Sequence, residues 1–185
     1  NLGNVSALGR GLLMMKDLGL IHKLPRIACA QAAQANPLYL SYRTDFKDYQ
    51  PVEARRTSAS AIQIGDPVSY ERAVKVLKSF DGIVDQATED ELANAAALAD
   101  TTGLYTCPQT GVVLAVVRKM AARGEIQPDD RVVAISTAHG LKFTEFKVDY
   151  HEGNLQEVRR QHANPPVELP PDLGLINRKI NAVIQ

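Results

Sequence analysis

The sequence predicts an α/β fold in which a mainly parallel β-sheet is flanked by helices on both faces. Short apolar runs typical of buried strands alternate with longer segments that repeat apolar residues at helical spacing. One of these segments, 108–123, is apolar on nearly every side up to Val117, which indicates a helix buried inside the molecule. The chain of 185 residues is long enough to bury a core of its own.

The individual elements follow from local signals. Asp66 as N-cap with Pro67 in the first turn predicts the start of a helix, and Thr88 with Glu91 forms a capping box before an Ala-rich helix. The clearest strand has Val-Val-Ala-Ile at its centre. The predicted helices are 5–18, 37–42, 67–80, 89–101, 108–123 and 173–184, and the predicted strands are 26–31, 82–85 and 131–136.

The chain divides into two parts by composition. We expect an α/β core in 1–150 and a mostly helical carboxy-terminal extension in 151–185, where a proline-rich spacer leads to the last helix. The sequence opens at Asn1 with no initiator methionine and no apolar signal core. We interpret it as part of a longer protein.

Composition excludes several function classes. The chain has 21 basic and 21 acidic residues, so a nucleic-acid binder driven by phosphate contacts is not expected. No stretch approaches the ~20 apolar residues that a membrane span needs. Cys29 and Cys107 are far apart, and the histidines do not join them at zinc spacing, so we expect two reduced thiols and no metal site.

Three segments could carry chemistry. Asn1-Leu2-Gly3-Asn4 precedes a predicted helix, whose amino end could bind a phosphate or carboxylate; alternatively, Asn4 simply caps the helix. Ser136-Thr137-Ala138-His139-Gly140 follows the clearest strand, where a hydroxyl could donate to a ring nitrogen, and His139 could be an acid–base group or a loop residue. In 59–67, small residues leave room for a flat ring or for tight packing.

Six strings of residues together carry a family resemblance. They are N-L-G-N-V-S-A-L-G at 1–9, C-A-Q-A-A at 29–33, N-P-L-Y-L at 36–40, A-S-A-I-Q-I-G-D-P-V-S at 59–69, C-P-Q-T-G-V at 107–112 and S-T-A-H-G-L-K-F at 136–143. The first and last are typical of pyridoxal-phosphate enzymes of the tryptophan-synthase-β fold, also called fold type II. With the 62–69 string, the chain resembles the carboxy-terminal part of a threonine synthase of the plant and bacterial type.

The resemblance implies roles for the residues that match the family's motifs. The family's G-N-x-G-N loop holds the phosphate of pyridoxal 5'-phosphate with backbone N–H groups, and this chain matches its last four positions. A threonine that contacts the pyridine nitrogen falls on Thr137, and Asn4 is the one residue here that could also touch a substrate phosphate. No catalytic role passes to His139. The implied cofactor-binding residues are Asn1, Leu2, Gly3, Asn4 and Thr137.

The family's reaction converts O-phospho-L-homoserine and water into L-threonine and phosphate. It uses a lysine that holds the cofactor as a Schiff base and precedes the phosphate loop, so the resemblance implies no catalytic residue in this chain and no activity from it alone. The stretch around Lys47 is similar to the signature of that lysine but follows the loop, and we interpret Lys47 as a solvated surface residue. Lys147 also follows the loop, so it does not match the lysine that holds the cofactor.

Two other interpretations stay open. A related lyase of the threonine or serine dehydratase type would share the phosphate loop, although the 62–69 string argues against it. Alternatively, the chain as it stands is a non-catalytic module that binds a ligand or a partner. The resemblance also implies a homodimer in the full-length protein, located in the cytoplasm or, in a plant, in the plastid stroma.

Overall fold

The computed structural model describes residues 1–184. Two short parallel strands lie among seven helices within this described part of the chain. The elements are α1 (Gly3–Asp17), β1 (Ala28–Ala32), α2 (Pro37–Tyr42), α3 (Tyr70–Ser79), β2 (Ile83–Ala87), α4 (Glu89–Asp100), α5 (Pro108–Ala122), α6 (Thr144–Glu152) and α7 (Leu173–Ile184), with 3₁₀ turns at Ser60–Ile62 and Gly140–Phe143.

The sheet separates two hydrophobic clusters, as the predicted α/β fold requires. β1 and β2 pair in register from Ala28 with Ile83 to Ala32 with Ala87. Because side chains alternate along a strand, Val84 packs among α1, α2 and α3, whereas Ala87 packs among α4, α5 and α6. The predicted parallel sheet with helices on both faces is therefore confirmed.

Glycines allow the helices on each face to pack closely. A Cβ atom at Gly9 of α1 would lie 2.2 Å from Cγ1 of Val76 in α3. On the other face, a Cβ atom at Gly111 of α5 would lie 2.4 Å from the carbonyl oxygen of Leu92 in α4. These contacts fix α1 against α3 and α5 against α4. The candidate site residues lie at the start of α1 and on a loop attached to α5.

The strand predicted at 131–136 does not form. This segment has no regular secondary structure, and Val133 is 87% exposed. A strand needs a neighbour that completes its hydrogen bonds, and within residues 1–184 neither β1 nor β2 pairs with this segment. The apolar run indicated a segment suited to burial but not where its hydrogen-bonding neighbour would be.

The start of α3 also differs from the prediction. The helix begins at Tyr70, with Ser69 as its N-cap residue, rather than at Pro67. Asp66 lies four residues before this start and is not its cap; its carboxylate instead accepts a hydrogen bond from the hydroxyl of Tyr49 at 2.6 Å. The capping box of α4 is confirmed, with reciprocal hydrogen bonds between Thr88 and Glu91.

Within the described residues, no helix is long and apolar enough to cross a membrane. The same part of the chain contains no group of three or more histidine, cysteine, aspartate or glutamate side chains placed to hold a metal ion. Cys29 and Cys107 are free thiols.

Candidate functional site

The amino end of α1 is shaped by an unusual backbone conformation at Leu2. Leu2 is the N-cap residue with φ 60° and ψ 14°, a left-handed conformation that costs a leucine roughly 1–2 kcal/mol. Its carbonyl oxygen is held by the backbone N–H of Ser6 at 3.2 Å and by the Ser6 hydroxyl at 2.9 Å. A left-handed residue followed by helical Gly3 and Asn4 turns successive N–H groups toward one point.

This end of the helix fits a phosphate group. Among the described residues no side chain caps it, so Asn4 lies inside the helix and is not its cap. The N–H groups of Gly3, Asn4 and Val5 precede the first intrahelical donor, Ser6, and point out of the helix at the positive end of its dipole. A Cβ atom added at Gly3 would meet no atom within 4 Å, which leaves the approach to these donors open.

The second candidate segment, 136–140, is attached to α5. The Ser136 hydroxyl lies 2.9 Å from the hydroxyl of Thr110, which in turn lies 3.1 Å from the sulfur of Cys107. Further along the chain, His139 forms an isolated antiparallel bridge with Thr106. These contacts, rather than a strand, set the position of Thr137.

Thr137 itself is available to a ligand. Its side chain is exposed, and its hydroxyl makes no hydrogen bond within residues 1–184. His139 has a structural role, because its Nδ1 atom accepts the backbone N–H of Leu141 at 3.2 Å and caps the 3₁₀ turn. Gly140 donates its N–H to the Tyr105 carbonyl at 3.0 Å, which closes the loop.

The two lysines considered above have different surroundings. The Lys47 side chain is 80% exposed and lies 3.9 Å from Asp45, as expected for a surface residue. Lys147 is buried, donates to Asp100 at 2.5 Å and lies 4.7 Å from the centre of the Tyr105 ring. Burial lowers the pKa of Lys147, and the neighbouring Asp100 carboxylate opposes that shift. Lys147 therefore joins α6 to the end of α4.

The 59–67 segment is used for tight packing. A Cβ atom at Gly65 would lie 1.8 Å from the carbonyl oxygen of Val52, and the Val52 N–H donates back to the Gly65 carbonyl at 3.0 Å. Ala59 is fully buried in the core cluster beside α4 and α5. Tyr49, whose hydroxyl hydrogen-bonds Asp66 of this segment, was not predicted as its partner, because it comes from a separate stretch that only the fold brings close.

The two predicted halves of the site lie on helices from opposite faces of the sheet. Asn1, Leu2, Gly3 and Asn4 open α1, which packs with α3, whereas Thr137 is held by α5, which packs with α4. The open, uncapped helix end can hold an anionic group, and the free hydroxyl on the separate loop can donate to a ring acceptor.

Comparison with known proteins gives the family. Residues 1–138 match the model of the family described as "Pyridoxal-phosphate dependent enzyme", and the chain belongs to that family. Pyridoxal phosphate is the cofactor of the family, and its phosphate and pyridine ring carry the two groups that the site can hold.

The particular relatives are threonine synthases. The chain is 54% identical over 177 residues to "Threonine synthase 2, chloroplastic" of Arabidopsis thaliana, covering 95% of this chain and 34% of that protein. It is 34% identical over 143 residues to the threonine synthase of Methanocaldococcus jannaschii, covering 77% of this chain and 35% of that protein. The chain thus spans about a third of the length of these relatives.

One solved structure shows a weaker likeness. The crystal structure of a threonine deaminase from the organism abbreviated T.th. matches 64% of this chain and 40% of that chain, with 23% sequence identity and a TM-score of 0.48.

Proposed function

We propose that the protein carrying this chain is a pyridoxal-phosphate-dependent threonine synthase, which converts O-phospho-L-homoserine and water into L-threonine and phosphate. The observation that carries the proposal is the open, uncapped end of α1 at Asn1–Asn4, in a chain that is similar to a threonine synthase over 95% of its length. When bound, pyridoxal phosphate supplies the electron-withdrawing group that stabilises negative charge at the substrate's reacting carbons.

The residues of this chain would bind and orient the cofactor and the substrate. The backbone N–H groups of Gly3, Asn4 and Val5 would hold a phosphate, because the helix end offers unpaired donors and a positive dipole. The Thr137 hydroxyl donates one hydrogen bond to the pyridine nitrogen and leaves it unprotonated, since a hydroxyl is a neutral donor. We assign the Asn4 side chain, on the first turn of α1, as a donor to the phosphate of the substrate.

We propose further that no lysine of this chain attaches the cofactor covalently. Lys47 lies on the surface beside Asp45, and Lys147 is committed to Asp100. On this proposal the isolated chain has no activity. We also propose, from the resemblance to threonine synthases, that the full-length protein is a homodimer located in the cytoplasm or, in a plant, in the plastid stroma.

The test is an assay of the intact protein with pyridoxal phosphate and O-phospho-L-homoserine. We expect a visible absorption band from bound cofactor and release of inorganic phosphate in step with threonine. Release of ammonia from threonine or serine, without phosphate release from phosphohomoserine, would instead identify a dehydratase-type lyase. Absence of cofactor binding would contradict both.

A further inference from the structure

The turn before α3 touches the proposed phosphate loop directly. The backbone N–H of Ser69 donates to the carbonyl oxygen of Asn1 at 3.2 Å. Ser69 is the N-cap residue of α3, so this hydrogen bond joins the amino ends of α1 and α3. Near the middle of α1, Gly9 packs against Val76 of α3. The direction of α1 is therefore set at two points along α3.

Four side chains hold this turn in place, and we name them the tyrosine clamp: Ser41, Tyr49, Asp66 and Tyr70. The Tyr49 hydroxyl donates to the Asp66 carboxylate at 2.6 Å, a short hydrogen bond to a charged acceptor. The rings of Tyr49 and Tyr70 stack with their centres 3.8 Å apart and their planes 28° apart. The Tyr70 hydroxyl is hydrogen-bonded to the Ser41 hydroxyl on α2.

The clamp acts on a turn whose other end is also fixed. Gly65 lies against the Val52 carbonyl, with no room for a side chain, and Pro67 is buried between Gly65 and Ser69. Tyr49 contacts both Asp66 and Tyr70, and these two clamp residues lie on either side of 67–69. A shift in any clamp contact is therefore passed to Ser69 and from there to Asn1.

We propose that the tyrosine clamp positions the phosphate loop: it holds Ser69 against Asn1 and so sets the direction of the first N–H groups of α1 toward the cofactor phosphate. The four clamp residues are positioning residues, because they act through Ser69 and Asn1 rather than on the cofactor. This inference rests on the proposed function. The 62–69 string, on which the resemblance to threonine synthases depends, contains Asp66 and Ser69. On this inference, the string helps to position the phosphate loop.

The test compares two cofactors that differ only in the phosphate. The equilibrium affinities of the intact protein for pyridoxal phosphate and for pyridoxal are measured by absorption titration. Tyr49→Phe removes the hydrogen bond to Asp66 and keeps the ring. Its matched control is Tyr39→Phe, because the Tyr39 hydroxyl bonds Arg43 on the surface of α2. We expect about three- to tenfold weaker binding of pyridoxal phosphate in Tyr49→Phe only, and unchanged binding of pyridoxal.

A second pair of variants moves the turn itself. Gly65→Ala forces the turn away from Val52, and its control is Gly11→Ala, where an added Cβ atom meets nothing within 4 Å. We expect Gly65→Ala to lose at least tenfold in affinity for pyridoxal phosphate relative to Gly11→Ala. If Gly65→Ala does not fold, Tyr49→Phe decides alone.

The outcomes separate this inference from the function on which it rests. Clamp variants that bind pyridoxal phosphate as well as their controls, or that weaken both cofactors equally, overturn the positioning role. Wild-type protein that binds neither cofactor overturns the proposed function instead.

Discussion

The contrast between Lys47 and Lys147 shows how one residue type takes different roles by burial. Lys147 forms a buried ion pair with Asp100, whose other oxygen accepts the Thr106 N–H at 3.0 Å. Removing one partner of such a pair leaves an uncompensated charge in the interior. We expect Lys147→Met to lower the free energy of unfolding by about 3 kcal/mol, measured by urea denaturation at neutral pH.

The same substitution at the exposed pair is the control. Lys47→Met removes a pair that water already solvates, and we expect no measurable loss of stability. The double variant Lys147→Met with Asp100→Asn removes both charges and should recover part of the loss. A Lys147→Met variant as stable as Lys47→Met would show that the buried pair contributes nothing.

The raised pKa of the Cys29 thiol predicts that the stability of the fold depends on pH. Burial raises the pKa of its thiol from 9.0 to about 12, so the folded protein keeps this proton where the unfolded chain loses it. The contribution is fully present below pH 9 and is lost as the pH rises toward 12, at up to about 1.4 kcal/mol per pH unit. Cys29→Ala loses packing at every pH but should show a shallower slope between about pH 8 and 10.5. Equal slopes would contradict the prediction.

At the scale of elements, the link between α5 and the Thr137 loop rests on Thr110. The Thr110 hydroxyl is buried between Cys107 and Ser136, and it is part of the contact that holds the loop. Thr110→Val keeps the shape and removes the hydroxyl, so we expect backbone amides near Thr137 to exchange hydrogen about fivefold faster. Thr110→Ser keeps a hydroxyl and should exchange as wild type does. Unchanged exchange in Thr110→Val would show that the bridge at His139 alone holds the loop.

Elements were predictable from sequence where their signals are local. The capping box at Thr88 and Glu91 is complete within four residues, and α4 begins where it predicts. Asp66 was wrongly predicted as a cap: α3 begins only at Tyr70, and the Asp66 carboxylate accepts a hydrogen bond from the distant Tyr49. Likewise, Asn1–Asn4 could be predicted as an anion site from a glycine before a helix, but its support by Ser69 depends on helix packing that sequence does not display.

At the scale of the whole molecule, the failure of the strand at 131–136 has a different cause. Its composition is that of a strand buried on both faces, but the run is neither paired nor buried. Pairing, however, also depends on a second segment, and among residues 1–184 neither β1 nor β2 pairs with this one. The result is an apolar run at the surface, with Val132 47%, Val133 87% and Ile135 51% exposed.

This exposed run predicts self-association of the 185-residue chain. Consecutive β-branched residues with unpaired backbone groups are a template for intermolecular strand pairing. Val133→Lys places a charge in the run, and we expect it to reduce concentration-dependent light scattering at least severalfold. The control is Val167→Lys, because Val167 is also exposed but lies among prolines that cannot form a strand ladder. If both variants scatter equally, self-association arises elsewhere, and the run at 131–136 is exposed without being adhesive.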